Sequence, residues 1–268
     1  MHGKIPLQGT ARRAVPDAIV RLLPGVTTFA VCLLVWKVAS LFFLPMVLPG
    51  PDALLARMLE IYGSPASYNV IGQTLLQIGE GFVLSMLIGI ALGLPMGLRR
   101  SIEMFFDSWI MVLLTFPAVC WAFLSVLWFG LSQIGAILTI VLIVFPFVTM
   151  NIWSGTKAIE KSLIEMGQVY RADRALMLRK VLIPQLMPYV FSSLRIALSL
   201  SWKIALVAEA FGAGGGVGRE LVNWFQETRV DMMLAWGASF MIIMVLIDLL
   251  VFRTWARRTF AWRYEVAT

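Results

Sequence analysis

Apolar residues run in long blocks along most of this chain, separated by Pro, Gly or clustered charges. Six blocks, near residues 24–47, 70–98, 105–129, 133–152, 186–211 and 233–254, are each long enough to cross a bilayer, whose hydrocarbon core takes about 20 apolar residues. A shorter stretch at 51–62, PDALLARMLEIY, sets Leu54, Leu55, Met58 and Leu59 at helical spacing after a Pro-Asp start. That pattern suits a helix lying in the interface. Between the fourth and fifth blocks the pattern changes. From Leu163 to Leu182 the apolar Met166, Val169, Ala172 and Leu176 follow one stripe with charges elsewhere, which predicts an amphipathic helix.

Small residues recur every fourth position in two blocks: Ser85, Gly89, Gly93 and Gly97, then Ser193, Ala197, Ser201 and Ala205. Such stripes let helix backbones approach closely in lipid, either within the chain or at a seam between two copies. Pro117 and Pro146 fall inside the third and fourth blocks and predict kinks. There is no internal repeat and no low-complexity tract.

Composition agrees with a bilayer protein: 60% of the 268 residues are hydrophobic and 14% charged, with a mean hydropathy of +0.85. The expected fold is an all-α membrane protein of about six transmembrane helices, one domain over residues 1–268. The apolar run after the basic start is too long for a cleaved leader and reads as a retained first span.

The net charge of +7 is explained by topology. With the N-terminus inside, four Lys and Arg precede the first span, Arg99 and Arg100 follow the second, six lie between the fourth and fifth, and four, from Arg253 on, lie at or beyond the end of the last. Only Arg57, Arg219 and Arg229 fall outside, while Lys37, Arg195 and Lys203 lie within spans. Cytoplasmic loops retain positive charge, so both termini and the 161–180 loop are expected in the cytoplasm, and no nucleic-acid partner is needed. Cys32 and Cys120 sit in separate apolar blocks and His2 is the only histidine, which argues against a disulfide framework or a metal site.

Ionisable residues inside spans are costly and therefore functional candidates: Lys37, Glu80, Arg195, Lys203, Glu209 and Asp248. Arg195 and Lys203 lie eight residues apart, on roughly one face and away from the Ser193 stripe. That face suits an anion such as a sulfonate, nitrate or carboxylate. The alternatives are an ion pair with Asp248 or Glu80, or snorkelling to an interface. The glycines of GAGGGVG, 212–218, lack the Lys-Ser/Thr of a phosphate loop and the register of a dinucleotide fingerprint, so they read as an outer turn or re-entrant loop. A membrane enzyme would need clustered His, Cys or carboxylates, and a secondary transporter would show repeated broken helices; neither signal is present.

The residues EMGQVYRADRALMLRKVLIPQLMP resemble the EAA loop of ABC importer permeases. Glu165, Gly167, Val181, Leu182, Ile183, Pro184 and Pro188 match the pattern. Met166 replaces its first Ala, and Arg171 stands where the family usually has Gly. LTFPAVCWAFLSVLWFG at 114–130, FPFVTMNIWSG at 145–155, SLSWKIALVAEAFGAGGGVG at 199–218 and the basic RTWARRTFAWR look like the nitrate, sulfonate and taurine branch. Gln77 departs from the Arg that members often carry.

The resemblance implies a multi-pass permease subunit of the inner membrane with type I importer architecture and no cofactor of its own. ATP would be used by separate cytoplasmic ABC ATPase subunits, an external binding protein would deliver the solute, and a second permease copy would complete the pathway, with membrane lipid around it. It implies a coupling loop, about 155–184, that meets the ATPase through Glu165, Met166, Gly167, Val169, Tyr170, Arg171, Ala172 and Pro184, with Gly167 small because the partner approaches closely. Lys203, Arg195 and Glu209 are the pathway candidates, Glu209 matching the Glu of a Val-Ala-Glu segment with a gating or helix-end role. The solute is a small anion or, alternatively, another small solute such as a pyrimidine precursor; a secondary transporter is the remaining reading.

Overall fold

The computed structural model describes residues 17–44, 46–212 and 215–259. Lys4, Arg12, Arg13 and His2, the side chains after Leu250 with most of the final basic run, and Ala213 and Gly214 of the glycine segment lie outside the described residues.

The chain folds as helices throughout: α1 (Asp17–Phe42), α2 (Pro51–Gly63), α3 (Pro65–Leu98), α4 (Arg100–Thr115), α5 (Ala118–Phe129), α6 (Gln133–Lys157), α7 (Lys161–Val169), α8 (Arg174–Met177), a π-turn at Leu178–Leu182, α9 (Ile183–Gly212), α10 (Val217–Gln226) and α11 (Val230–Thr259). Five are long and apolar enough to cross a membrane, counting α8, the π-turn and α9 as one rod over Ala175–Gly212, and α4 with α5 makes a sixth where that bent pair is counted as one span. Five of the six expected spans are therefore present as long helices. The third differs in form, because the 105–129 block is two helices bent by 97°. Proline has no N–H to donate and pushes the preceding residue out of helical space. Phe116 accordingly adopts an extended φ of −69° and ψ of 130°, and α5 restarts after Pro117. Pro146, by contrast, stays inside an unbroken α6.

The centre is the packing of α3 on α6. A Cβ on Gly81 would stand 2.7 Å from Ile140 Cγ2, one on Gly89 2.5 Å from Val148 Cβ, and one on Gly93 2.8 Å from both Ile152 Cβ and the Thr149 carbonyl oxygen; Gly97 abuts Thr156. Both helices thus step by four or eight residues along one seam, with Ser85 fully buried in the series and its hydroxyl donating to the Gly81 carbonyl at 2.6 Å. The second stripe is also internal: Ser193, Ala197, Ser201 and Ala205 are 0–1% exposed. Both stripes serve packing within the chain, as small residues do where lipid supplies no hydrophobic drive.

On the outer side, α2 buries Leu54, Met58 and Ile61. It is tied to α11 by Arg57 Nε donating to Asp231 at 2.8 Å and by the Tyr62 hydroxyl donating to the Ser239 carbonyl at 3.1 Å. On the inner side, Lys157 and Arg100 both donate to Oε1 of the buried Glu103 carboxylate, joining the last turn of α6 to the first of α4. These clamps fix the two ends of the bundle, from which the cytoplasmic loop and the glycine segment project.

Candidate functional site

The cytoplasmic segment is a helical hairpin, where one amphipathic helix over 163–182 was expected. α7 ends in a left-handed residue: Arg171 has φ of 51°, and the Ala172 N–H donates back to the Gly167 carbonyl at 2.9 Å. That is the wrap-around close of a helix, in which the left-handed place is usually glycine. The Gly that the family pattern expects at 171 thus has a backbone reason, and this chain meets the same turn with an arginine. Asp173 then caps the next helix, its Oδ1 accepting from the Leu176 N–H at 2.8 Å.

Beyond α8, Pro184 has no amide to donate. The Ile183 N–H bonds back five residues to the Leu178 carbonyl, giving the π-turn that carries the chain into the membrane. The loop's second helix is thereby the cytoplasmic end of the fifth span.

This geometry redistributes the predicted contact residues. Val169 and Tyr170 are each 80% exposed, and Met166 and Leu176 about half exposed, joined by Leu178. They form an apolar crest around the turn, with Glu165, Arg171 and Asp173 exposed beside it and Ala172 half-buried. Pro184 is exposed at the start of α9. Gly167 is buried, and the group that approaches it is Met177 of the same hairpin, whose Sδ and Cε occupy the space a side chain would take. Its smallness therefore closes the loop on itself.

Three of the intramembrane charges come together. Arg195 and Lys203 line one cavity of about 290 Å³ between α9 and α11, with Leu198, Ser199, Trp202, Met244, Val245, Asp248 and Leu249. None of the three charged groups is in an ion pair among the described residues. The Lys203 ammonium lies 5.8 Å from the Trp202 ring centroid. Lys203 is nine residues from Gly212, so it stands roughly 14 Å below the outer end of α9, near mid-bilayer. Arg195 and Asp248 lie nearer the cytoplasmic side. Glu80 is elsewhere, in an apolar groove of α3 and α6. Lys37 is paired with Asp52 at 2.5 Å, and that hydrogen bond holds the Asp52 carboxyl below its usual range.

Glu209 does not join this cavity. It is fully buried, and its Oε2 accepts from the Gly218 N–H at 2.8 Å, so a carboxylate closes the amino end of α10. The Val217 N–H donates to the Thr74 hydroxyl of α3 at 2.8 Å. Gly216, at φ of 106° and ψ of 175°, passes so close to Glu209 that a Cβ would meet its carboxylate. A Cβ on Gly218 would meet the Leu206 carbonyl. The glycines are thus demanded by a turn folded tightly over α9, and Glu209 occupies a helix-end place. Sequence reasoning missed Thr74, Asp173 and the crest residue Leu178. Only Asp173 carried a readable signal, as an Asp immediately before the helix former Arg174 that opens α8.

Residues 85–262 match the family described as "Binding-protein-dependent transport system inner membrane component". The chain is 31% identical over 249 residues, 90% of each chain, to the taurine transport system permease protein TauC of Escherichia coli (strain K12). It is 26% identical over 243 residues, 90% of this chain and 88% of the relative, to the putative aliphatic sulfonates transport permease protein SsuC of Bacillus subtilis (strain 168). Its fold resembles that of a chain in the inward-facing MetNI methionine ABC transporter, with TM-score 0.56 and 17% identity over 72% of this chain and 93% of that one. The chain belongs to this family of inner-membrane permeases; it is a multi-pass transport subunit and not an enzyme.

Proposed function

We propose that this permease carries a small anion, with a sulfonate as the leading class, along the face of α9 and α11 that holds Lys203 and Arg195. The observation that carries the reading is Lys203 near mid-bilayer, without an ion-pair partner among the described residues, sharing a cavity with Arg195. A cation at that depth is too costly to face lipid, so this face must line water or be covered by protein. A second copy of the chain, set against the same face, supplies that cover and encloses the path. The names of the two relatives, one for taurine and one for aliphatic sulfonates, favour the same solute class.

The crest of Met166, Val169, Tyr170 and Leu176 is the docking surface for the cytoplasmic ATPase. Exposed apolar side chains at the tip of a hairpin fit a groove, and Glu165 and Arg171 at the rim orient the contact. Pro184 and the π-turn transmit movement of the hairpin into α9, and Gly167 and Ala172 keep the hairpin closed. Residues 1–268 act as one permease domain with the loop as its coupling element.

The test is uptake by vesicles holding the permease, its ATPase and its binding protein. K203A should lower sulfonate uptake at least tenfold with the ATPase still bound, whereas V169D should lose ATPase co-purification with an unchanged melting temperature. Wild-type uptake by K203A, or wild-type ATPase binding by V169D, would overturn the corresponding half of the reading.

A further inference from the structure

We propose that Asp248 is a valence filter, setting the cavity between α9 and α11 for solutes that carry one negative charge and against those that carry two. The inference rests on the reading that this cavity lies on the solute's path. Among the lining residues the charged groups are Arg195, Lys203 and Asp248, which give the site a formal charge of +1. None of them is neutralised by an ion pair among the described residues, so all three remain available to a solute.

The level of each charge follows from chain direction. α9 rises toward the outer side as its numbering increases, and α11 falls. Asp248 therefore stands near the level of Arg195, and Lys203 lies about two turns further out. An anion coming from outside meets Lys203 first, and then a cation and a carboxylate together. A monoanion brings the cavity to zero net charge. A dianion leaves one excess negative charge in a low-dielectric, membrane-embedded site, where unneutralised charge is expensive. It also faces the Asp248 carboxylate directly. The volume of about 290 Å³ holds roughly ten waters, which is room for a solute of fewer than ten heavy atoms with part of its hydration shell. Valence, then, is the property on which this site can discriminate among small oxyanions of equal size.

Methanesulfonate and sulfate are a matched pair of probes, both tetrahedral about sulfur and equal in heavy-atom count, differing by one charge. Equilibrium binding of each, labelled with radioactive sulfur, is measured on the permease with its ATPase in nanodiscs and without a binding protein. Wild type should bind methanesulfonate at least tenfold more tightly than sulfate. D248N should reduce or reverse that ratio by at least tenfold, mainly through tighter sulfate binding, and D248E should retain it. If K203A abolishes methanesulfonate binding but D248N leaves the ratio unchanged, the filter is refuted while the pathway reading stands. If K203A leaves methanesulfonate binding unchanged, the pathway reading fails and the filter with it.

Discussion

Replacing Gly216 by alanine isolates the closure of the glycine turn on Glu209. The position has φ of 106° and ψ of 175°, a region occupied essentially by glycine alone, and an L-residue held there costs about 1–3 kcal/mol. A second cost is steric. The new Cβ would stand 2.6 Å from Glu209 Oε2 and closer still to Cδ and Oε1, so the carboxylate must move away from the Gly218 N–H that it accepts from at 2.8 Å. A hydrogen bond to a charged group contributes about 1.5–3 kcal/mol. The two costs together give roughly 2.5–6 kcal/mol for G216A.

A double-mutant cycle separates them. E209A removes both the obstacle and the acceptor, so in that background only the backbone strain of about 1–3 kcal/mol should remain. The coupling between the two positions should be about 1.5–3 kcal/mol. Unfolding of the four proteins in mixed micelles, followed by circular dichroism against rising dodecyl sulfate, measures each difference. A G216A cost that is the same with and without Glu209, within about 0.5 kcal/mol, would refute the assignment of Glu209 as the closing group.

Two further substitutions probe the hairpin and the helix seam. R171G relieves a left-handed residue, a strain of about 1–2 kcal/mol, partly offset by glycine's greater freedom when unfolded. Amide exchange at Ala172 should therefore slow by roughly fivefold, and faster exchange would contradict the turn described. G93A inserts a Cβ 2.8 Å from the Thr149 carbonyl oxygen and should destabilise by about 1–3 kcal/mol, whereas G79A, with nothing within 4 Å of its Cβ, should be neutral or stabilising; equal melting temperatures for the two would argue against the seam.

Much of the fold was legible because the bilayer imposes one length on every crossing, and a block such as 233–254 can satisfy it in only one way. The bend at Phe116 was signalled by Pro117, but its size was not, since it depends on whether neighbours rebuild the helix as they do around Pro146. In the cytoplasmic loop, the apolar stripe from Met166 to Leu176 ran evenly enough to pass for one helix. The cue to the break was the family's Gly at position 171, a conformational requirement written in a residue this chain does not have. Lys203 and Arg195 could be paired by helical spacing alone. That Asp248 shares their cavity depends on how α11 lies against α9, and no local pattern encodes it. The Thr74 to Val217 bond joins residues 143 positions apart, beyond any periodicity.

The seam between α3 and α6 also behaves as a keyed joint. Gly89, Gly93 and Gly97 are interchangeable teeth at a spacing of four, and by themselves would let one helix slip past the other by a turn. Ser85 is not interchangeable: it is buried in the same row between Gly81 and Gly89, and a one-turn slip would bring its hydroxymethyl against a residue now accommodated by a glycine. The two helices therefore hold a single phase and travel as one rigid plate. Whatever displacement opens this permease to one side or the other must be taken up around that plate, at the bend of Phe116, the π-turn before α9 and the open gap beside α11.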